Sequence, residues 1–235
     1  LALLAIACAP DQAEPELEST LAPIIGGTAD SGHPAVGALV GNALCTGTLI
    51  TSRLVLTAAH CFKSHTFETF RLGPSMNSPD TSIALQNCTS HPNYGKQVVS
   101  GTNAPVHDLA ICKLSQPVSG VAPAKLRTES LVDSKGAAVT FVGYGATDPD
   151  GSGLGWKMKL SVTIDSVTSL GFWNLSPSSS VKNTCIGDSG GPGFVTNKGA
   201  EELAGVVSAG DPNCIENGWN MRVDLELRWI KSMVD

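Results

Sequence analysis

Along most of the chain, apolar residues fall in short runs separated by turn residues. Ala35 to Val40, Ala43 to Ile50, Leu54 to Thr57, Leu109 to Leu114, Ala138 to Val142 and Leu203 to Val207 each have the length of a strand. From Lys159 to Val167 the apolar Leu160, Val162 and Ile164 alternate with Ser161, Thr163 and Asp165, the period of two that predicts a strand with one face buried. Asn93-Tyr94-Gly95, Asp148-Pro149-Asp150-Gly151 and Asp211-Pro212-Asn213 supply turns. Helical spacing occurs at the end, where Leu227, Ile230 and Val234 follow Val223 on one stripe. Asp224 and Glu226 fall in its first turn, where acidic side chains favour the helix dipole. The pattern predicts an all-β protein with a C-terminal helix. The Pro- and Ser-containing stretch from Ser115 to Leu131 is a candidate link between two halves.

At 235 residues the chain is long enough to bury a sizeable core. Its 25 glycines and 14 prolines stay below the roughly 25–30% share expected of low-complexity chains. Charged residues are 15% and hydrophobic residues 42%, with a net charge of −6. Asp11, Glu14, Glu16 and Glu18 precede residue 24, where there is no Lys or Arg, so the remainder carries −2. No basic surface is implied, which argues against nucleic acid or an anionic membrane as a partner. Leu1 to Ala7 is an apolar run ending in small residues, resembling the tail of an export signal. Without Met or basic residues before it, the sequence is expected to start inside that signal, and residues 1–23 are read as signal remnant and propeptide. Cys8 after Ala5-Ile6-Ala7 also resembles a bacterial lipoprotein cleavage site and is a candidate lipid anchor; an ordinary signal peptide is the competing reading. No later run is long and apolar enough to span a bilayer.

Besides Cys8 there are Cys45, Cys61, Cys88, Cys112, Cys185 and Cys214. An even count behind an export signal suggests three disulfides in an oxidising compartment, with every pairing open on spacing alone. Zinc-ligand spacings are absent from the sequence, so a structural metal is the weaker alternative.

Three segments carry candidate chemistry. Leu56-Thr57-Ala58-Ala59-His60-Cys61 presents an imidazole after an apolar strand, and His107-Asp108-Leu109-Ala110-Ile111-Cys112 places a carboxylate at the entrance of another. Taken singly, His60 also suits a structural role and Asp108 a turn cap. Cys185-Ile186-Gly187-Asp188-Ser189-Gly190-Gly191-Pro192 is more informative. Glycines around Ser189 let the backbone turn tightly, aim successive N–H groups at one point and expose the hydroxyl.

Ile24-Ile25-Gly26-Gly27, Thr57-Ala58-Ala59-His60-Cys61, Asp108-Leu109-Ala110 and Gly187-Asp188-Ser189-Gly190-Gly191-Pro192, in that order, resemble the signatures of the trypsin/chymotrypsin family of serine peptidases over residues 24–235. The resemblance implies two packed six-stranded antiparallel β-barrels, about 24–120 and 121–235, with the cleft between them. His60 and Asp108 would come from the first barrel and Ser189 from the second. The chemistry is consistent: a serine hydroxyl needs an adjacent base, an imidazole suits proton transfer near neutral pH, and a carboxylate fixes its tautomer. The N–H groups of Gly187 and Ser189 would form the oxyanion hole. The resemblance also implies that proteolysis before Ile24 frees an ammonium that pairs with Asp188. That cut would follow Pro23, whereas digestive members are cut after Lys or Arg, so the activating peptidase is unknown.

By the same resemblance Cys45 pairs with Cys61 and Cys185 with Cys214. Cys88 and Cys112 fall outside the usual family positions but on runs expected to be neighbouring strands, and are expected to pair. Asn183 occupies the pocket-floor position where trypsin-like members carry Asp. With Gly210 and Gly218 at the walls it predicts a neutral P1 residue (the one preceding the scissile bond), bulky and apolar or amide-bearing; nearby Glu216 offers a counter-preference for basic residues. Ser208-Ala209-Gly210 matches the segment that pairs with substrate backbone, and Ser208 is within expected reach of Asp108. His91 is read as part of a strand-to-loop element, and His33 and His65 as surface residues. The chain is thus expected to be an exported, monomeric serine endopeptidase acting on protein or peptide substrates without cofactor or metal. The alternatives are a non-catalytic binding module on the same scaffold and a precursor that is never cut.

Overall fold

The structure is a computed structural model that describes residues 24, 26–100, 102–148, 151–175, 182–211 and 213–234. The propeptide, Cys8 and the Pro23–Ile24 bond therefore lie outside or at the edge of the described residues, as do Pro149, Asp150 and Pro212 of the expected turns. A short strand β1 (Thr28–Ala29) precedes six strands: β2 (Val36–Gly41), β3 (Leu44–Leu49), β4 (Leu54–Thr57), β5 (Phe67–Leu72), β6 (Thr81–Ser90) and β7 (Ala110–Leu114). These six close into an antiparallel barrel in the order β2-β3-β4-β7-β6-β5. After the connecting stretch come β8 (Ala138–Gly143), β9 (Met158–Val167), β10 (Gly171–Leu175), β11 (Pro192–Asn197), β12 (Ala200–Gly210), β13 (Asn217–Arg222) and the helix α1 (Val223–Ser232). Strands β8 to β13 close a second six-stranded ring, and β1 is added to it through β9.

Alternation in β9 works as the pattern predicts: Met158, Leu160, Val162 and Ile164 are buried, while Ser161 and Thr163 face outward. The buried side chains pack with Phe141, Phe172 and Ile24 in the second barrel. In the first, Leu39, Leu49, Leu56, Phe70 and Ile111 meet in the larger core that also reaches α1 through Val223 and Ile230. Closing both sheets leaves few free edges for a second chain to extend.

The barrels are stitched together through buried polar groups with partners. The fully buried Thr46 hydroxyl donates to Gly187 O at 2.9 Å and accepts from Tyr144 N–H at 3.1 Å. Tyr144 in turn donates its hydroxyl to Gly73 O at 2.6 Å. Three disulfides join Cys45 to Cys61, Cys88 to Cys112 and Cys185 to Cys214. Cys88 and Cys112 stand directly opposite each other on β6 and β7, so a pairing outside the usual family positions follows from strand register.

His65 is exposed, but His33 departs from the surface role expected of it. Its side chain is 10% exposed, bonded to Asp30 at 2.8 Å and Glu201 at 3.0 Å, and stacked on Phe194. Burial works against its charged form, but the two carboxylates outweigh burial and hold its pKa above the ordinary value. The sequence shows no such partners because Glu201 lies on a distant strand.

Candidate active site

The end of β4 delivers the chain into a single turn of tight helix, Ala59–Phe62, which carries His60. Asp108 stands just ahead of β7, the strand paired with β4. Neighbouring strands thus place the two side chains together although 48 residues separate them. Asp108 is fully buried and its carboxylate accepts three hydrogen bonds. His60 approaches it twice, with its backbone N–H at 2.7 Å from Oδ1 and its ring Nδ1 at 2.7 Å from Oδ2. Ser208, from β12 of the other barrel, donates its hydroxyl to Oδ2 at 2.6 Å. A ring held at Nδ1 by a carboxylate keeps its proton there and leaves Nε2 as the acceptor.

Ser189 arrives from the second barrel on the loop before β11. Its carbonyl accepts from Thr46 N–H at 2.9 Å and lies 3.8 Å from Cys61 Sγ, beside His60. Gly190 lets the loop come so close: with φ at +81°, a Cβ there would stand 2.8 Å from Ala58 N and 2.5 Å from Thr46 O. Among the described residues the Ser189 hydroxyl has no hydrogen-bond partner. Such bonds are commonly long or misaligned in free enzymes and tighten with substrate.

The amides of the Ser189 loop divide into two groups. Asp188 N–H bonds Cys185 O, Gly190 N–H bonds Val207 O and Gly191 N–H bonds Asp188 O. Those of Gly187 and Ser189 have no acceptor among the described residues. The carbonyl of Ile186 takes Ala146 N–H at 2.7 Å, and in a trans peptide the following N–H, that of Gly187, points the opposite way. Two unspent donors beside a serine can stabilise negative charge developing on a carbonyl oxygen.

Asp188 turns away from Ser189 into the protein. It is 1% exposed and accepts from Gly145 N–H at 2.9 Å and Cys185 N–H at 2.8 Å. Gly145 is packed so tightly that a Cβ on it would come within 2.5 Å of the carboxylate. Burial pushes the Asp188 pKa up from 3.8 to about 7, against the pull of those two hydrogen bonds. Among the described residues no cation lies within ion-pair distance of it. Ile24 is nonetheless already seated, its side chain fully buried with Leu131 and Phe141 in the second barrel.

Beside Ser189 opens a cavity of about 280 Å³, lined among others by Thr184, Cys185, Ser208, Gly210 and Cys214. Asn183 and Gly218 are not on its lining. Asn183 is buried, its Oδ1 accepting from Thr184 N–H at 2.9 Å and Asn174 Nδ2 at 3.2 Å. Asn174 Oδ1 in turn accepts from Asn220 Nδ2 at 2.8 Å. Bonding in this direction leaves the Asn183 amide N–H group without a partner among the described residues. Gly218 sits on β13 opposite Asn174, where a Cβ would come 2.7 Å from Asn174 Oδ1. At the cavity rim Asp211 spends both carboxylate oxygens on the N–H groups of Asn213, Ile215 and Glu216. Asn174 and Asn220 were not expected; the one sequence signal is a polar residue on an inward-facing position of each of β10 and β13.

Paired antiparallel barrels that meet around a carboxylate-bound imidazole and a serine match a known class of hydrolase, and residues 24–230 match the family model for trypsin. The chain belongs to that family of serine-type endopeptidases. It is 32% identical over 193 residues to human granzyme M, across 75% of this chain and 72% of that protein. Trypsin delta of Drosophila erecta is 29% identical over 235 residues, across 88% of this chain and 87% of its own. Phenoloxidase-activating factor 3 of Holotrichia diomphalia is 29% identical over 229 residues, which is 81% of this chain but 64% of that longer protein.

Proposed function

We propose that the protein cleaves peptide bonds with Ser189 as nucleophile, His60 as general base and Asp108 as the group that orients it. The Ser189 hydroxyl adds to the scissile carbonyl carbon while its proton passes to His60 Nε2. The resulting oxyanion is held by the N–H groups of Gly187 and Ser189. Collapse expels the amine, which takes the proton from His60 and leaves an acyl-serine; water then repeats the cycle and releases the acid. The observation that carries this reading is the two-point attachment of His60 to a buried carboxylate that Ser208 also supports.

The enzyme is made as a precursor and activated by cleavage before Ile24, the new α-ammonium pairing with Asp188. Support comes from a buried carboxylate whose pKa burial has raised and from an Ile24 side chain already in the core of the second barrel. An unpaired charge buried there costs several kcal/mol, and an ammonium relieves that cost. The three disulfides support an oxidising destination outside the cytoplasm, and no helix among the described residues is long and apolar enough to cross a membrane. The lipid-anchor reading of Cys8 gains no support.

The P1 residue is neutral, bulky and apolar or amide-bearing. Asn183 is buried beside the lining residue Thr184 rather than on the lining itself. Being uncharged, with an amide N–H group that lacks an acceptor among the described residues, it offers no carboxylate behind the cavity to favour Lys or Arg. Cleavage of a peptide library by the processed protein, with Ser189→Ala as control, tests the whole reading. Cuts after Gln, Leu, Met or Phe support it; cuts after Lys or Arg overturn the pocket assignment, and equal cleavage by the control overturns the nucleophile.

A further inference from the structure

Behind Asp108, three side chains from separate elements converge. His107 Nδ1 lies 2.6 Å from Glu226 Oε1, and His91 Nε2 lies 3.4 Å from Glu226 Oε2. The two imidazoles stack at 4.7 Å, and Trp229 meets His91 edge-on. Two histidines and a glutamate are a familiar set of metal ligands, but the tautomer argues otherwise. His91 Nδ1 accepts from Asn93 N–H at 3.2 Å, so in the neutral ring the proton sits on Nε2, the nitrogen 3.4 Å from the carboxylate. A ligating Nε2 needs that proton on Nδ1, where it would meet the Asn93 N–H. The trio is a clasp on the 7%-exposed Glu226, which His107 holds by a hydrogen bond and against which His91 packs, stacked on His107.

The clasp holds an unfavourable backbone. His107 has φ +55°, a left-handed conformation that non-glycine residues seldom adopt without compensation. Its carbonyl accepts from Leu109 N–H at 2.8 Å, closing a tight turn with Asp108 at the centre, while Leu109 O accepts from His91 N–H at 2.8 Å. We propose that Glu226, reaching from the C-terminal helix through His107, is a positioning residue for Asp108: it pins the left-handed turn that aims this carboxylate at His60 and Ser208. The inference rests on the role given to Asp108 above.

Two readouts test it on the processed full-length protein: turnover of a peptide substrate, and the downfield proton resonance of His60 Nδ1–H, which reports the His60–Asp108 bond whether or not the protein turns over. Glu226→Ala lowers kcat about tenfold or more with little change in KM, and broadens or shifts the resonance. His107→Ala, with the left-handed backbone and no clasp, does the same. His107→Gly, which accepts that backbone without strain, keeps more of both signals than His107→Ala. In the His107→Gly background Glu226→Ala costs no further kcat. Equal losses in both backgrounds, or an unchanged resonance in Glu226→Ala, overturn the clasp and leave Glu226 a helix-docking residue. A wild-type protein that shows the resonance without turnover refutes the peptidase reading instead, and the resonance alone then decides the clasp.

Discussion

Asp188→Asn in the uncleaved chain should remove a specific component of the dependence of stability on pH. The Asp188 pKa is about 7 in the fold against an ordinary 3.8, so the native state binds this proton more tightly than the unfolded state. Its contribution is fully present below the ordinary carboxyl pKa and is lost as pH rises through about 7. A gap of about three units, at roughly 1.4 kcal/mol each, is on the order of 4 kcal/mol. Other buried carboxylates, such as Asp30 with a lowered pKa, tilt the total curve the opposite way, so the variant is the necessary reference. Urea unfolding of the Ser189→Ala chain, with and without Asp188→Asn, should be compared from pH 4 to 8 to avoid self-cleavage. The difference between the two should shift by several kcal/mol over that range, the aspartate chain losing ground as pH rises. In protein cleaved before Ile24 the trend should largely vanish, because the ammonium keeps the carboxylate ionised. Parallel curves for the two uncleaved chains would refute the reasoning that this carboxyl drives activation.

Ser208→Ala deprives buried Asp108 of one of its three donors; an unmet buried acceptor costs about 1–3 kcal/mol, so kcat should fall about tenfold or more at similar KM, and an unchanged kcat would count against the Asp108 role. Asn183→Asp should move cleavage toward Lys and Arg and lower stability, as read from a peptide library and a melting curve; unaltered selectivity would show that this residue does not govern the pocket. Changing both Cys88 and Cys112 to Ser opens a crosslink spanning 24 residues, worth roughly 3 kcal/mol in the chain-entropy model. At roughly 2–4 °C per kcal/mol for a chain of this size, calorimetry should record a Tm lower by about 10 °C.

Much of the scaffold was legible because one face of each clear strand is apolar. Strand β4 coincides with the run Leu54 to Thr57, β9 shows its alternation openly, and α1 begins at Val223 as the stripe of apolar residues indicates. Strand β5 escaped notice because Glu68 and Arg71 interrupt it, and β6, largely solvent-facing, was expected only as the run that carries Cys88, with no apolar pattern of its own. Strand β13 was hidden by buried asparagine, whose partner Asn174 lies on β10. The segments of His60, Asp108 and Ser189 were readable because each carries local chemistry in adjacent residues. The clasp of His91, His107 and Glu226 was not: its members come from three elements, and a left-handed φ at histidine has no signature in sequence.

The central claim is that His60 activates Ser189. It is tested most directly by exposing the processed protein to a serine-directed phosphonate and mapping the adduct by mass spectrometry. The account predicts one equivalent of phosphonate on Ser189, with labelling nearly abolished in His60→Ala. No adduct on Ser189, or equal labelling without the imidazole, would contradict it.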